Sequence, residues 1–213
     1  MSFDLGTRTG LVPNGDCFSR RDTAPAMSEQ RIDPVRQPIR AKVRPRRAID
    51  ERLLLRFPRG FTSAAQLVWK LPPRSRLRMA LVGRVATLAI EAHNRGDLEA
   101  AVAVYDSEVE YVTPPQIIPL GFEPIYRGRD ARIEVQRRWT AEWGEFTFKP
   151  EELIDVGDGR VLMLGRMEGS GLTSGVMIDN DWADLFTIAR GRVVREQVYL
   201  DRAEALEAAG LSE

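Results

Sequence analysis

Long strand-like runs in the second half of the chain constrain the fold more than any other feature. Four of them follow Gly144 and are rich in branched and aromatic residues: FTFKPEELIDV, RVLMLGRMEG, SGVMIDNDWADLFTIA and RVVREQVYL. Turn-forming residues separate the runs, above all Gly157-Asp158-Gly159 and Gly191. The sequence therefore predicts a set of long β-strands joined by turns in this part of the chain.

Helical periodicity precedes the strands. Over residues 75–93, apolar side chains recur every three or four positions, which predicts a helix. Asp97 suits the N-cap of a second, short helix, a strand follows at 109–113, and a third helix is predicted over 130–143. A last helix is predicted over 201–210, where a capping box begins it and a glycine ends it. Helices followed by long strands indicate the α+β class, with an antiparallel sheet curled around the helices.

The charge of the chain is divided between its two ends. The 213 residues carry 31 Lys and Arg and 31 Asp and Glu. Residues 1–78 hold 17 basic and 7 acidic side chains, a net charge of +10, and residues 79–213 hold the remaining 14 and 24, a net charge of −10. Such asymmetry indicates parts with different roles.

We therefore expect three segments. Residues 1–47 are rich in Arg, Pro and polar residues without an apolar period, which predicts a disordered and dispensable basic segment. Residues 48–77 predict a helical extension of two short helices divided at Pro58, and residues 78–213 the folded domain. The favoured interpretation is that the extension packs on the acidic body. Contact of its basic residues with phosphate or an anionic membrane is the alternative, and no nucleic-acid partner is predicted.

The counts of cysteine and histidine exclude several kinds of site. With Cys17 and His93 alone, the chain has neither a disulfide framework nor the usual zinc ligands, and we predict no metal and no cofactor. His93 has no recognisable Ser or Cys nucleophile beside it, so a hydrolase triad is not expected. No apolar run approaches the ~18 residues of a membrane span. The first ten residues lack the order of a secretory signal, so we expect a cytoplasmic protein.

Several motifs together carry a resemblance to a known family. In chain order they are HNRGDLEAAVAVYDSEVEYVTPP, YRGRDA, WTAEW, ELIDVGDGRVLML and LFTIARGRVVREQVYLDRAEALEAAG. In order and spacing, over residues 78–211, they resemble SnoaL-like proteins of the nuclear transport factor 2-like superfamily. The resemblance implies a cone-shaped, curved antiparallel sheet wrapped around three helices, with a blind pocket for one small hydrophobic molecule. It also implies a homodimer formed through the outer face of the sheet.

Asp184 is the first candidate for a functional side chain. Strand alternation places it on one face with Trp182 and Phe186, and a carboxyl group buried between aromatic side chains has a raised pKa. By resemblance, Asp184 stands at the protonated Asp of ketosteroid isomerase. The base and the Tyr donor of that enzyme would fall at Tyr111 and Ala89, so its mechanism does not carry over. The alternative is a solvated or interface side of the sheet, on which Asp184 pairs with an Arg.

The second candidate group is Tyr111, Thr113, Arg166 and Glu168. By resemblance to limonene epoxide hydrolase, Tyr111 and Thr113 stand where a Tyr and an Asn help to hold the attacking water, and Arg166-Met167-Glu168 resembles an Arg-x-Asp element. Val198 stands where the last Asp of that enzyme would be, so one water-activating carboxylate is absent. The favoured interpretation of Arg166 and Glu168 is an exposed ion pair, and orientation of a polar ligand group is the alternative.

Aromatic and apolar side chains are the candidates for the pocket wall. These ligand-binding candidates are Trp139, Trp143, Met163, Trp182, Phe186 and Tyr199. Trp139 and Trp143 lie one turn apart on the third predicted helix, a spacing that is also typical of an ordinary core. Tyr199, near the end of the last strand, fits either a donor at the mouth of the pocket or a structural residue.

Three functions stay open at this point, because the superfamily contains polyketide cyclases, isomerases, hydrolases, dehydratases and binding modules without chemistry. The first is an acid–base enzyme of the isomerase, cyclase or hydrolase type that acts on a small hydrophobic carbonyl compound or epoxide. The second is a non-catalytic binding module for such a molecule. The third is a dimeric interaction protein whose basic N-terminal region recruits an acidic partner. A buried, unpaired Asp184 beside an open pocket favours the first.

Overall fold

The computed structural model describes residues 34–42, 44–73 and 75–211, all within the structural unit Ile32–Glu213. The helices are α1 (Ile49–Arg56), α2 (Pro58–Trp69), α3 (Arg76–Asn94), α4 (Leu98–Ala101), α5 (Arg129–Thr140) and α6 (Arg202–Ala209), with a 3₁₀ helix over Pro115–Leu120. The strands are β1 (Val35–Pro38), β2 (Tyr105–Val112), β3 (Ile125–Arg127), β4 (Trp143–Gly157), β5 (Arg160–Gly171), β6 (Met177–Ala189) and β7 (Arg192–Tyr199). Within the described ranges, no helix is both long and apolar enough to cross a membrane.

The strands form one sheet in the order β1-β4-β5-β6-β7-β2-β3. Neighbouring strands are antiparallel except for β7 and β2, which are parallel. A parallel pair needs a long crossover, and here α5 and strands β3 to β6 lie between β2 and β7 in sequence. The predicted α+β class with a curved, mainly antiparallel sheet is confirmed, and the parallel pair is a departure from it.

Alternation along the long strands gives the sheet two apolar faces. In β5, Met163 and Met167 belong to the inner core with α3 and α5, whereas Leu162 and Leu164 belong to a separate cluster under α6. Bulges interrupt the register of β4 at three places, and bulges bend a strand and increase its twist. The sheet therefore curves around the helices on its inner face and carries α6 on its outer face.

Local signals and strand pairing set the helix ends. At the start of α6, the side chain of Asp201 accepts a hydrogen bond from the backbone N–H of Glu204 at 2.9 Å, and Gly210 ends the helix with φ at 77°. The third predicted helix, α5, ends at Thr140 rather than at Trp143. Trp143 instead begins β4 and pairs with β5, because pairing within the sheet outweighs the helical spacing of one aromatic residue.

Strand β1 contradicts part of the disorder predicted for residues 1–47. Val35–Pro38 pair with β4 at the edge of the sheet, with Val35 opposite Asp155. The next residue, Ile39, is 4% exposed and belongs to the inner core. An edge strand needs only ladder hydrogen bonds and one or two apolar contacts, so a short polar sequence forms it without a visible apolar period. Residues 1–33 of the predicted segment lie outside the described residues.

Helices α1 and α2 lie in the predicted extension and are tied to the rest of the unit by polar contacts. Asp50 of α1 accepts hydrogen bonds from Arg84 of α3 at 2.6 and 3.0 Å. The guanidinium of Arg78 lies 4.2 Å from the ring centroid of Trp69 of α2, and its Nε lies 2.7 Å from the carboxylate of Asp155 in β4. The extension is thus anchored to both a body helix and the sheet.

Candidate functional site

A cavity of about 690 Å³ lies between the inner face of the sheet and the helices. Residues of α1, α2, α3 and α5 line one side, and residues of β5, β6 and β7 line the other. The wall is mainly apolar and includes Trp139, Phe148, Met163, Met167, Trp182 and Phe186. A cavity with this volume and lining suits one small, predominantly hydrophobic molecule.

Asp184 is a buried carboxyl group in the wall of this cavity. It is 4% exposed, lies on β6 between Trp182 and Phe186, and its Oδ1 has no hydrogen-bond partner among the described residues. Burial raises the pKa of Asp184 well above its usual value, and the negative charge of Glu196 raises it further, against smaller opposing effects of Arg132 and of the Trp182 indole. The carboxyl group therefore favours its protonated form, in which it is a hydrogen-bond donor.

Arg132 and Glu196 form the second polar feature of the wall. The Arg132 guanidinium donates two hydrogen bonds to the Glu196 carboxylate, from Nε to Oε2 at 2.6 Å and from Nη2 to Oε1 at 2.8 Å. A third bond runs from Nη1 to Oε1 of Gln136 at 3.0 Å, and Cζ lies 4.5 Å from the ring centroid of Tyr111. Both charged groups are buried. The pair thus binds both oxygens of Glu196 and joins β7 to α5.

The register of β6 and β7 brings the two acids together. Asp184 lies opposite Val198 and Phe186 lies opposite Glu196, so Asp184 and Glu196 are diagonal neighbours on the inner face. Such neighbours are ~7–8 Å apart. Two carboxyl groups this close in a dry environment do not both ionise readily. Arg132 binds the Glu196 carboxylate, and the charge of this carboxylate adds to burial in raising the pKa of Asp184.

His93, near the end of α3, is a third polar group in the cavity wall. Its ring lies edge-on to Phe148 with the centroids 4.7 Å apart, and no group in the described part of the chain bonds its Nε2. Burial lowers the pKa of His93 to about 4, the positive charge of Arg132 acts in the same direction, and a hydrogen bond with Gln136 opposes both. At neutral pH the imidazole is therefore uncharged and has one donor and one acceptor nitrogen.

Six of the ten residues predicted for the site line the cavity: Asp184, Tyr111, Trp139, Met163, Trp182 and Phe186. Burial raises the pKa of the Tyr111 hydroxyl, which therefore keeps its proton as a donor. Thr113, which the resemblance to limonene epoxide hydrolase places at the position of an Asn, is buried but does not line the cavity.

Arg166 and Glu168 lie outside the cavity, which corrects their assignment as candidate catalytic residues. Because Met167 faces inward, alternation turns both neighbours to the outer face of β5. Arg166 binds Asp179 with 2.7 Å between Nε and Oδ1, and Glu168 binds Lys149 with 2.5 Å between Oε2 and Nζ. Both contacts are partly exposed ion pairs, and such pairs contribute little to stability.

Trp143 and Tyr199 also lie outside the cavity and are corrected in the same way. Trp143 is on β4, where its ring lies 6.2 Å from that of Trp139 and borders a separate, smaller pocket. Tyr199 lies on the outer face and packs with Leu206 of α6, because its neighbour Val198 takes the inner position. Neither side chain reaches the wall that Asp184 belongs to.

Three features of the cavity wall were not predicted from the sequence: Arg132, Glu196 and the position of His93. Two signals were present in the pattern. Arg132 precedes Trp139 by seven residues and so shares its helix face, and Glu196 precedes Val198 by two and so shares its strand face. Charged residues are usually exposed, so these positions did not predict a buried pair. The contact between α5 and β7 brings Arg132 and Glu196 together in the interior.

A curved, mainly antiparallel sheet around helices, with a few buried polar groups in an otherwise apolar cavity, defines a class of α+β folds. The model of one family in this class, described as a SnoaL-like domain, matches residues 86–196. This match covers just over half of the chain and includes His93, Arg132, Asp184 and Glu196. The chain belongs to the SnoaL-like domain family, and the resemblance found in the sequence is confirmed.

Two solved structures show the same fold. A nuclear transport factor 2-like protein of unknown function from Burkholderia pseudomallei is 22% identical, with a TM-score of 0.51 over 58% of this chain and 93% of that chain. TerC, co-crystallised with polyporic acid, is 19% identical, with a TM-score of 0.50 over 60% of this chain and 96% of that chain. At these identities the similarity concerns the fold alone. No curated protein sequence matches this chain.

Among the described residues, no group of three or more His, Cys, Asp or Glu side chains is arranged to hold a metal ion. The polar groups of the cavity are instead one bidentate ion pair, one carboxyl group without a partner at Oδ1, and neutral donors. This arrangement is suited to hydrogen bonding and proton donation to a single polar group on an apolar molecule.

Proposed function

We propose that this protein is an acid–base enzyme that holds one small, predominantly hydrophobic carbonyl compound or epoxide in the cavity. The observation that carries the proposal is Asp184, a buried carboxyl group with a raised pKa and no partner for Oδ1 among the described residues. A buried polar group without a partner destabilises the fold by about 1–3 kcal/mol. An oxygen atom of a bound ligand would supply that partner.

In this proposal Asp184 is the general acid. Its O–H donates a hydrogen bond to the carbonyl or epoxide oxygen, and the proton passes to that oxygen as negative charge develops on it. For a carbonyl compound, a water molecule takes the proton from the neighbouring carbon as the enol forms. For an epoxide, a water molecule adds to the carbon as the C–O bond breaks and then gives up a proton. An ionised Asp cannot donate, so the raised pKa is the property that makes the step possible near neutral pH. The proton released in either reaction returns through water to the Asp184 carboxylate, which restores the acid.

The other buried polar groups have supporting roles. Arg132 fixes Glu196 by two hydrogen bonds and lies against the Tyr111 ring, and the charge of Glu196 favours the protonated form of Asp184. The Tyr111 hydroxyl and the neutral His93 are further hydrogen-bonding groups of the wall. Because the remaining wall is mainly apolar, the site would select a molecule with one polar end.

The test uses 2-tetralone, a small apolar ketone with exchangeable hydrogens beside its carbonyl group. In D₂O, the wild type is expected to accelerate exchange of these hydrogens for deuterium, as followed by NMR. Asp184→Asn keeps the size and an N–H donor but cannot transfer a proton. Its exchange rate is expected to fall by about a hundredfold or more, the range for loss of a general acid, while 2-tetralone still binds.

Asp181→Asn is the matched control. Asp181 lies on the same strand, but its side chain points outward to Arg166, with 3.2 Å between Nη1 and Oδ1. Its exchange rate is expected to equal that of the wild type. Binding of 2-tetralone to the wild type without any accelerated exchange would contradict the enzyme and support the non-catalytic binding module.

Thermal unfolding of the same variants separates loss of the acid from loss of the fold. Because the folded pKa of Asp184 lies above the ~3.9 of an unfolded Asp, its stability contribution is full below pH ~4 and is lost as the pH rises through the folded pKa. Asp184→Asn is therefore expected to keep or raise the unfolding midpoint at neutral pH. A clearly lowered midpoint would contradict the raised pKa.

The homodimer stays a proposal. The family resemblance supports pairing through the outer face of the sheet, and an apolar sheet face needs cover. Helix α6 already covers the apolar cluster on β5, β6 and β7, so a partner would contact α6 and the charged side chains around it. The proposed chemistry requires neither a metal nor a cofactor.

A further inference from the structure

Exposed apolar side chains are concentrated in the helical extension and the first half of α3. Eleven large apolar side chains are exposed in the described residues, and six of them lie in the short stretch from α1 to α3. We call these six residues the mouth face: Ile49, Leu53, Phe57, Leu67, Leu77 and Leu81, which are 41–77% exposed. Such a concentration on a soluble surface marks an interaction site.

Three members of the mouth face also belong to the cavity wall. They line the cavity and are also exposed to solvent: Leu53 of α1, Phe57 at the C-terminal end of α1, and Leu81 of α3. A side chain with both properties lies at the opening. The cavity therefore opens between the helical extension and α3, and the rim of the opening is apolar.

Most of the exposed charged residues in the same stretch are basic. Those that accompany the mouth face are Arg52, Arg56, Arg59, Lys70 and Arg76. The stretch 49–81 has two acidic residues, Asp50 and Glu51, and both are bound to arginines outside the face, Arg84 and Arg95. The exposed surface of this stretch is thus both apolar and cationic.

We propose that the mouth face docks on an anionic lipid surface, with its apolar side chains in the interface and its Arg and Lys residues on the lipid phosphates. Amphipathic helices that combine apolar and basic side chains bind membranes in this way, and anionic headgroups attract the basic residues. A second copy of the chain is a poor occupant, because its like-charged arginines would face those of the first. A bilayer also holds small apolar molecules, so docking places the opening of the cavity at their source.

The test is co-sedimentation of the full chain with vesicles. We expect binding to mixed phosphatidylcholine–phosphatidylglycerol vesicles and little binding to phosphatidylcholine alone. The double variant Leu67→Gln/Leu77→Gln is expected to bind at least about tenfold more weakly, because both side chains leave the interface. Arg56→Gln/Arg59→Gln is expected to lose about tenfold or more through lost attraction to the headgroups. None of these four residues lines the cavity.

Leu172→Gln is the matched control, because Leu172 is 67% exposed, close to the 65% of Leu67, but lies at the end of β5. It is expected to bind vesicles like the wild type. Asp184→Asn is also expected to bind normally, so failure of the proposed enzyme and failure of the docking are distinguishable. The proposal is overturned if anionic vesicles are not bound, if Leu67→Gln/Leu77→Gln binds unchanged, or if the face captures an acidic protein while leaving vesicles free.

Discussion

Asp184 and Glu196 are acids on the same inner face, yet their hydrogen-bond partners differ. Glu196 receives two hydrogen bonds from Arg132, at 2.6 and 2.8 Å, whereas Oδ1 of Asp184 receives none from the described residues. Burial is the main cause of the raised pKa of Asp184, and the negative charge that Arg132 holds at Glu196 adds to it, so the ion pair has a supporting role. Breaking a buried pair from one side leaves a buried charge without compensation.

His93 makes the stability of the protein depend on pH. Its folded pKa of about 4 lies below the ~6.5 of an unfolded His, so between these values the unfolded state binds the extra proton. Stability is therefore full above pH ~6.5 and is lost as the pH falls toward 4. The free energy of unfolding is expected to decrease by about 2 kcal/mol between pH 7 and pH 5 on account of this residue, as measured by urea denaturation.

His93→Gln removes the titrating group and keeps a polar side chain. The decrease between pH 7 and pH 5 is expected to shrink by the same amount in this variant. An unchanged pH dependence would contradict the lowered pKa and would mean that the ring is solvated in the folded protein.

Alternation along β6 predicted that Asp184 lies on the same face as Trp182 and Phe186. The prediction was possible because side chains two positions apart in a strand share a face, and these neighbours are aromatic. Arg166 and Glu168 became candidates by resemblance to an Arg-x-Asp element, without a test of alternation on β5, where Met167 between them is the residue that faces inward. The Arg132–Glu196 pair could not be predicted from the sequence, since it joins α5 to β7 across 64 positions of the chain. Patterns within one element predict its faces, and contacts between elements decide which charges are buried.

Helix α2 is held against the turn between β6 and β7 at close range. The side-chain amide of Gln66 donates to the backbone oxygen of Arg190 at 3.1 Å. The next residue, Gly191, has φ at 74°, and a Cβ there would lie 2.8 Å from the Thr62 oxygen and 3.0 Å from the Gln66 nitrogen. The glycine thus permits both the left-handed turn and the approach of the helix that covers the cavity.

Gly191→Ala is therefore expected to destabilise the protein in two ways. A left-handed conformation costs about 1–2 kcal/mol for Ala, and displacement of α2 by the new Cβ costs about 1–3 kcal/mol more. Gly96→Ala is the control for the first effect, because Gly96 has φ at 78° and nothing within 4 Å of a Cβ. Urea denaturation should show a larger loss for Gly191→Ala, and equal losses would mean that α2 does not press on the turn.

The elements differ in how far their sequence determines them. The ends of α6 follow from Asp201 and Gly210, because a cap and a left-handed glycine act within one turn. Strand β1 could not be predicted in the same way, since its four residues show no apolar run and are fixed by pairing with β4. The end of α5 was misjudged for a similar reason, because Trp143 belongs to the ladder with β5.

The opposite charges of the two ends of the chain meet in specific ion pairs. Arg47 donates to Asp97 at 2.6 and 2.9 Å, and Nε of Arg44 lies 3.3 Å from the buried carboxylate of Glu91. The backbone N–H of Lys42 also donates to Glu91, at 3.2 Å. The boundary of the folded unit therefore lies before β1, rather than at the residue 47 that the apolar pattern suggests.

A chain that begins at Ala48 is expected to be much less stable than one that begins at Pro34. It loses the burial of Ile39, about 1.5–3 kcal/mol, and it leaves Glu91 buried without its cation and backbone donor, about 1–3 kcal/mol or more. The chain that begins at Pro34 keeps every one of these contacts and serves as the control. Thermal and urea unfolding of the two chains measure the difference, and equal stabilities would show that β1 and the Glu91 pair are dispensable, so that the folded unit does begin after residue 47.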